Sequence, residues 1–144
     1  MRTLGNILWH FPFFGFVNAL TTFLIGILLV ITVIGSPLGL GLIQLSKFLL
    51  TPFSSAMVDK KELDTRDNEL WKIFGIFVRI IYFPVGLVLS VVTIVQIAGL
   101  FVSIVGIPVA LVLAKSVGTY FNPVNKKCVP QEVADEIARK KYQK

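Results

Sequence analysis

The chain has 144 residues, and 55% of them are hydrophobic before its 11 glycines are counted, where soluble domains reach about 45–50% with glycine included. Charged residues make up 15%, against about 25% in such domains, and mean hydropathy is +0.80. A soluble globule of this size has too little interior to hide so much apolar side chain, and the same numbers exclude intrinsic disorder, which leaves a membrane protein.

The net charge of +6 comes from 14 Lys and Arg against 8 Asp and Glu. The basic residues sit at the edges of apolar runs, so the expected partner of this charge is anionic lipid headgroups, not nucleic acid. The lone Cys128, beside Lys126 and Lys127, permits no disulfide within the chain.

In chain order, residues 1–57 are the first membrane unit. Met1-Arg2-Thr3 leads into an apolar run that continues past Ile34 without stopping at a cleavage site, so it reads as an uncleaved signal anchor and first membrane segment. The apolar block over 7–53 contains one charge, Lys47, and is too long for one helix of about 20 residues. Gly35-Ser36-Pro37 divides it, because proline removes a backbone donor and pushes its predecessor out of the helical region. Residues 58–72, VDKKELDTRDNELWK, form a polar cytoplasmic linker. Residues 73–124 are the second unit, with Arg79 and Lys115 as its charges and Gly106-Ile107-Pro108 as its break. The first arms, 11–34 and 80–105, would span about 36 and 39 Å, enough to cross the bilayer; the second arms, 38–53 and 109–121, reach about 24 and 20 Å. These short arms either cross obliquely or return from a turn inside the membrane. Residues 125–144 are a cytoplasmic basic tail. It reads as a short helix after Pro130, with Glu132, Asp135 and Glu136 early and Arg139, Lys140 and Lys141 late, matching the macrodipole.

A shift of 71 residues superimposes the two units without a gap. Gly15 falls on Gly86, Thr22 on Thr93, Leu29 on Leu100, Gly35 on Gly106, Pro37 on Pro108 and Pro52 on Pro123. The predicted fold class is an all-α membrane protein of two parallel repeats. Each is a helical hairpin turning at Gly35 and Pro37 or at Gly106 and Pro108, and a short C-terminal helix follows. Arg2, then Lys60, Lys61, Arg66 and Lys72, then the basic tail place both termini and the linker in the cytoplasm. Trp9 and Trp71 fit a headgroup-level aromatic belt.

Asn6-Ile7-Leu8-Trp9, the Ile34-Gly35-Ser36-Pro37 turn with Gly39 behind it, Pro52-Phe53, and the second turn Val105-Gly106-Ile107-Pro108 together resemble the YccF family. These are small bacterial inner-membrane proteins built on a duplicated hydrophobic unit. The resemblance covers about residues 2–124 and implies a multi-pass protein of the inner membrane, without implying a reaction.

No paired carboxylates, Ser/His/Asp set, metal cluster or phosphate-cradling loop can be assembled within the apolar blocks. An enzyme, a cofactor and a metal are therefore not expected. His10 reads as a solvated residue at the interface. Lys47 and Arg79 can snorkel to headgroups, whereas Lys115, about 12 Å deep if helical, and its repeat mate Gln44 are candidate cavity-lining residues. Thr22, Thr93 and Gln96 suit hydrogen bonds between helices. Small residues at close spacing, Gly39, Gly86, Ser90, Gly99, Ser103, Ala110, Ala114 and Gly118, are candidates for helix packing within or between subunits. Two functions remain open. One is an oligomeric scaffold or partner component of the inner membrane, serving a cytoplasmic or membrane protein; the other is a small oligomeric channel or transporter-like protein preferring anions.

Overall fold

A computed structural model describes residues 2–11, 14–63 and 69–143, without the side chains of Leu8, Trp71, Val85 and Leu89. Arg66 and the Trp71 side chain, which the sequence assigns to the cytoplasmic loop and the aromatic belt, lie outside the described set.

The chain is mostly helical. Helix α1 covers Arg2–His10 and α2 covers Gly15–Ile31, after which α3 covers Ser36–Leu50. Between α2 and α3, Thr32 Oγ1 donates to Leu29 O at 2.7 Å and accepts from Gly35 N at 3.3 Å. Val33 is left-handed at φ 59°. A Cβ on Gly35 would lie 2.8 Å from Leu29 O and from Thr32 Oγ1, so only glycine fits this close turn, and Pro37 then stands in the first turn of α3, where its missing donor costs nothing. The second break is built alike. Helix α4 covers Glu69–Phe101, a 3-10 turn covers Ile104–Gly106, and α5 covers Ile107–Phe121 with Pro108 in its first turn. There a Cβ on Gly106 would run into Leu100 O. Helices α2 and α3 pack on each other, as do α4 and α5.

The structure adds two strands that an all-α reading lacks. Strand β1, Ser55–Asp59, follows α3, and β2, Lys126–Pro130, follows α5; they pair antiparallel. Each strand is short and bounded by turn residues, and its partner lies 71 positions away in sequence, so no local pattern announces it. Strand β1 also crosses the boundary that the sequence places at 57. A 3-10 turn over Lys60–Leu63 leaves β1, and helix α6, Gln131–Tyr142, leaves β2 and packs along the ribbon.

The long arms differ from expectation too. The first is α2, of 17 residues, about 25 Å and short of the roughly 30 Å hydrocarbon core. The chain doubles back between α1 and α2, laying the Trp9 indole against Gly15 where a Cβ would stand. The second is bent by 56° between Lys72–Pro84 and Gly86–Phe101, as a proline inside a helix requires. By length and composition one helix, Ile104–Phe121, could cross a membrane, or two if the bent α4 counts as one span.

The core collects Leu45, Phe48 and Leu49 of α3 with Val109, Ala110 and Val112 of α5, joined by Trp9 and Ala19. Helix α5 begins beside Phe53, with which Ile107 shares a groove, and leads to Pro123, whose carbonyl sits against Gly41. It therefore runs back along α3. Outside this core, α2 and α4 expose Phe16, Leu20, Leu28, Ile80, Val88 and Val95. That surface would be untenable in water and is ordinary against lipid tails.

Candidate functional site

Trp9 is buried, not at a surface belt, and its Nε1 donates to Leu49 O at 2.8 Å. A buried indole needs such an acceptor, and the last turn of a helix offers free carbonyls. His10 Nε2 lies 2.8 Å from Leu50 O, so that nitrogen carries the proton. Asn6 reads the same corner: its Oδ1 accepts from Phe53 N at 3.0 Å and its Nδ2 donates to Ser54 Oγ at 3.1 Å. The Asn-x-x-Trp element thus fastens α1 to the turn after α3.

Gln44 and Lys115 do not meet in one recess. Gln44 Oε1 accepts from Cys128 N at 3.1 Å, tying α3 to β2 beside a small recess of about 90 Å³. Lys115 is exposed on α5 and borders a different recess of about 410 Å³ with Phe53, Leu111 and Ala114.

The small residues divide between two roles. Gly39 lies against Gly26 O and Val30, and Gly86 against Phe121 O, so both permit close helix approach within the chain. Ala110 is fully buried, and Ser90 Oγ bonds back to Gly86 O at 2.7 Å. Gly99 and Gly118 have nothing within 4 Å of an added Cβ, and Ser103 and Ala114 are exposed.

Burial raises the Cys128 thiol pKa, partly offset by a hydrogen bond with Ser55 and by the charge of Lys47. The group is thus held as the unreactive thiol near neutrality. Among the described residues, no three His, Cys, Asp or Glu side chains gather to hold a metal.

A further cluster was not singled out in the sequence. Lys61, Lys72, Arg79 and Lys126 line a recess of about 410 Å³ between α4, the end of α5 and the ribbon, with Asp59 as the acid among its described lining residues. Lys126 Nζ meets Asp59 Oδ1 at 3.0 Å. The Asn122 amide is best oriented with its oxygen towards Arg79, whose Nε and Nη2 then lie 3.3 and 3.2 Å away. Setting the two units side by side would have exposed this cluster. The residues 71 positions from Lys61, Lys72, Arg79 and Lys126 are Glu132, Met1, Leu8 and Ser55, none of them basic.

No curated protein and no solved structure matches the chain. Residues 4–55 match the family described as YccF, inner membrane component domain; this is the family read from Asn6-Ile7-Leu8-Trp9 and the Gly-x-Pro turn, and the match lies within the first unit.

Proposed function

We propose that this protein is a non-enzymatic scaffold of the inner membrane, made of two copies of one unit and assembled as a homo-oligomer that serves a membrane or cytoplasmic protein partner. Each unit is a helical hairpin turning at Gly-x-Pro, followed by a strand. The observation that carries the duplication is the ribbon. Its register pairs Met57 with Cys128, which are 71 residues apart, so an approximate two-fold axis passes between equivalent residues. The bounds of α3 and β1 become those of α5 and β2 under the same shift. Lys60 N donates to Asn125 O and Gln131 N to Ser54 O, both at 2.9 Å, and these bonds are exchanged by the axis. Leu49 O and Tyr120 O, again equivalent, accept from Trp9 Nε1 and Tyr82 Oη.

Such a pair of units has a reason to be structural. The units are joined by the backbone bonds of the ribbon and by side-chain pairs at its edges, and the outer faces of α2 and α4 are apolar. The open small positions Gly99 and Ala114 suit contacts between chains. Native mass measurement in mild detergent is expected to give a homo-oligomer; a monomer alone would remove the assembly. The second reading, an anion-preferring channel, is favoured by Lys115, an exposed charge among Phe53, Leu111 and Ala114. It predicts that Lys115→Leu preserves insertion and alters anion flux in proteoliposomes.

A further inference from the structure

The recess formed by Lys61, Lys72, Arg79 and Lys126 has no basic residue at the four positions 71 away. Part of its lining recurs in an apolar groove of about 660 Å³ between α1 and the start of α5, which includes Leu4, Gly5 and Phe53. These stand 71 residues before Gly75, Ile76 and Val124 of the basic recess. The groove has Arg2 as its basic lining residue, whereas the recess has four.

Among the described lining residues the four cations meet one acid, Asp59, already paired with Lys126. Lys61, Lys72 and Arg79 are exposed, and like charges gathered in this way repel one another unless an anion sits among them. The floor is open, since an added Cβ on Gly118 meets nothing within 4 Å. Ile76 and Phe121, both exposed and apolar, form the adjoining wall.

We infer that this recess binds a phosphate-bearing anion, namely the phosphodiester headgroup of an anionic phospholipid, with an acyl chain lying along Ile76 and Phe121. Cation pockets beside membrane helices recognise such headgroups, and the apolar wall favours a lipid over free phosphate. The inference rests on the inner-membrane reading proposed above, adds to it that the ribbon lies at the membrane surface, and does not depend on oligomer size or conductance.

The test uses the purified full chain in neutral detergent, with phosphatidylglycerol or phosphatidylcholine added. Bound lipid is read by native mass spectrometry. Phosphatidylglycerol is expected to be retained and phosphatidylcholine lost. Lys72→Gln with Arg79→Gln is expected to weaken retention about 25-fold, from a factor of about five per charge. Arg139→Gln with Lys140→Gln makes the same charge change on α6 and is expected to have no effect. Gly118→Leu fills the floor without changing charge and is expected to weaken retention as well. Equal losses in the two charge variants, or equal retention of both lipids, would overturn the site. Displacement of the lipid by inorganic phosphate that itself stabilises the protein would overturn the lipid assignment and leave a free-phosphate site. A failed topology measurement with intact lipid selectivity would remove the membrane placement without removing the recess.

Discussion

Gly41 and Gly118 are both glycines in short helices, yet their surroundings are opposite. A Cβ on Gly41 would strike the Pro123 carbonyl, while one on Gly118 meets open space. Gly41→Ala must therefore push the α5–β2 junction away from α3, and overpacking of this kind costs about 1–3 kcal/mol. Gly118→Ala should instead gain up to about 1 kcal/mol through helix propensity. Thermal unfolding in detergent checks both, and equal shifts would refute the packing described. The sequence makes Gly118 a packing candidate and passes over Gly41, because spacing reveals which residues are small but not which backbone arrives from 82 positions away. Trp9 carries the same lesson. Its type suits an aromatic belt, but the carbonyl of Leu49 and the space above Gly15 draw it inward. Gln44 is legible as polar, and it does line a small recess, but its partner, the Cys128 amide, belongs to a strand that no local pattern predicts.

The Gly-x-Pro breaks are legible in the sequence because proline and a crowded glycine act locally, and both breaks fall where these residues stand. The ribbon is not legible, because pairing is a property of two segments at once. Its register offers a direct check. Lys60 N→Asn125 O and Gln131 N→Ser54 O belong to hydrogen-bonded pairs, and alternation along the ladder then makes Met57–Cys128 a non-hydrogen-bonded pair. Such pairs hold their Cα atoms about 4.5 Å apart, inside the roughly 4.4–6.8 Å window for a disulfide. Met57→Cys is therefore expected to cross-link to Cys128 on mild oxidation. The two halves would then stay joined on a non-reducing gel after cleavage within residues 64–68. Ala56→Cys, facing the other side of the ribbon, is expected not to cross-link, and the reverse pattern would shift the register by one. The raised pKa of Cys128 sets the pH dependence. Its thiolate is scarce at neutral pH, so cross-linking should accelerate as pH rises beyond the ordinary thiol range. Stability contributed by the buried thiol is full below that range and is lost as pH climbs through the raised value.

Over the whole molecule, three polar regions far apart in sequence converge. Arg2 of the N-terminus meets Glu132 of the tail at 3.6 Å, Glu62 of the linker meets Lys141 at 3.1 Å, and Asp59 meets Lys126 at 3.0 Å. The two outer pairs are exposed and add little energy, and Asp59–Lys126 is half-buried, but the geometry of all three has a consequence for topology: groups in contact cannot stand on opposite sides of a bilayer. The N-terminus, the linker and the tail must share one face, whichever it is. The side follows from a separate rule. Segments that carry Lys and Arg are retained in the cytoplasm, and all three contain such residues whereas neither Gly-x-Pro turn carries a charge. Single cysteines at Lys61 and Gln143, in a Cys128→Ser background, are therefore expected to resist an impermeant thiol reagent added to intact cells and to react in inverted membrane vesicles. Labelling of both from outside would reverse the orientation while preserving the contacts. Labelling of one alone would mean that the linker and the tail lie on different sides, and the ion pairs joining them could not then exist.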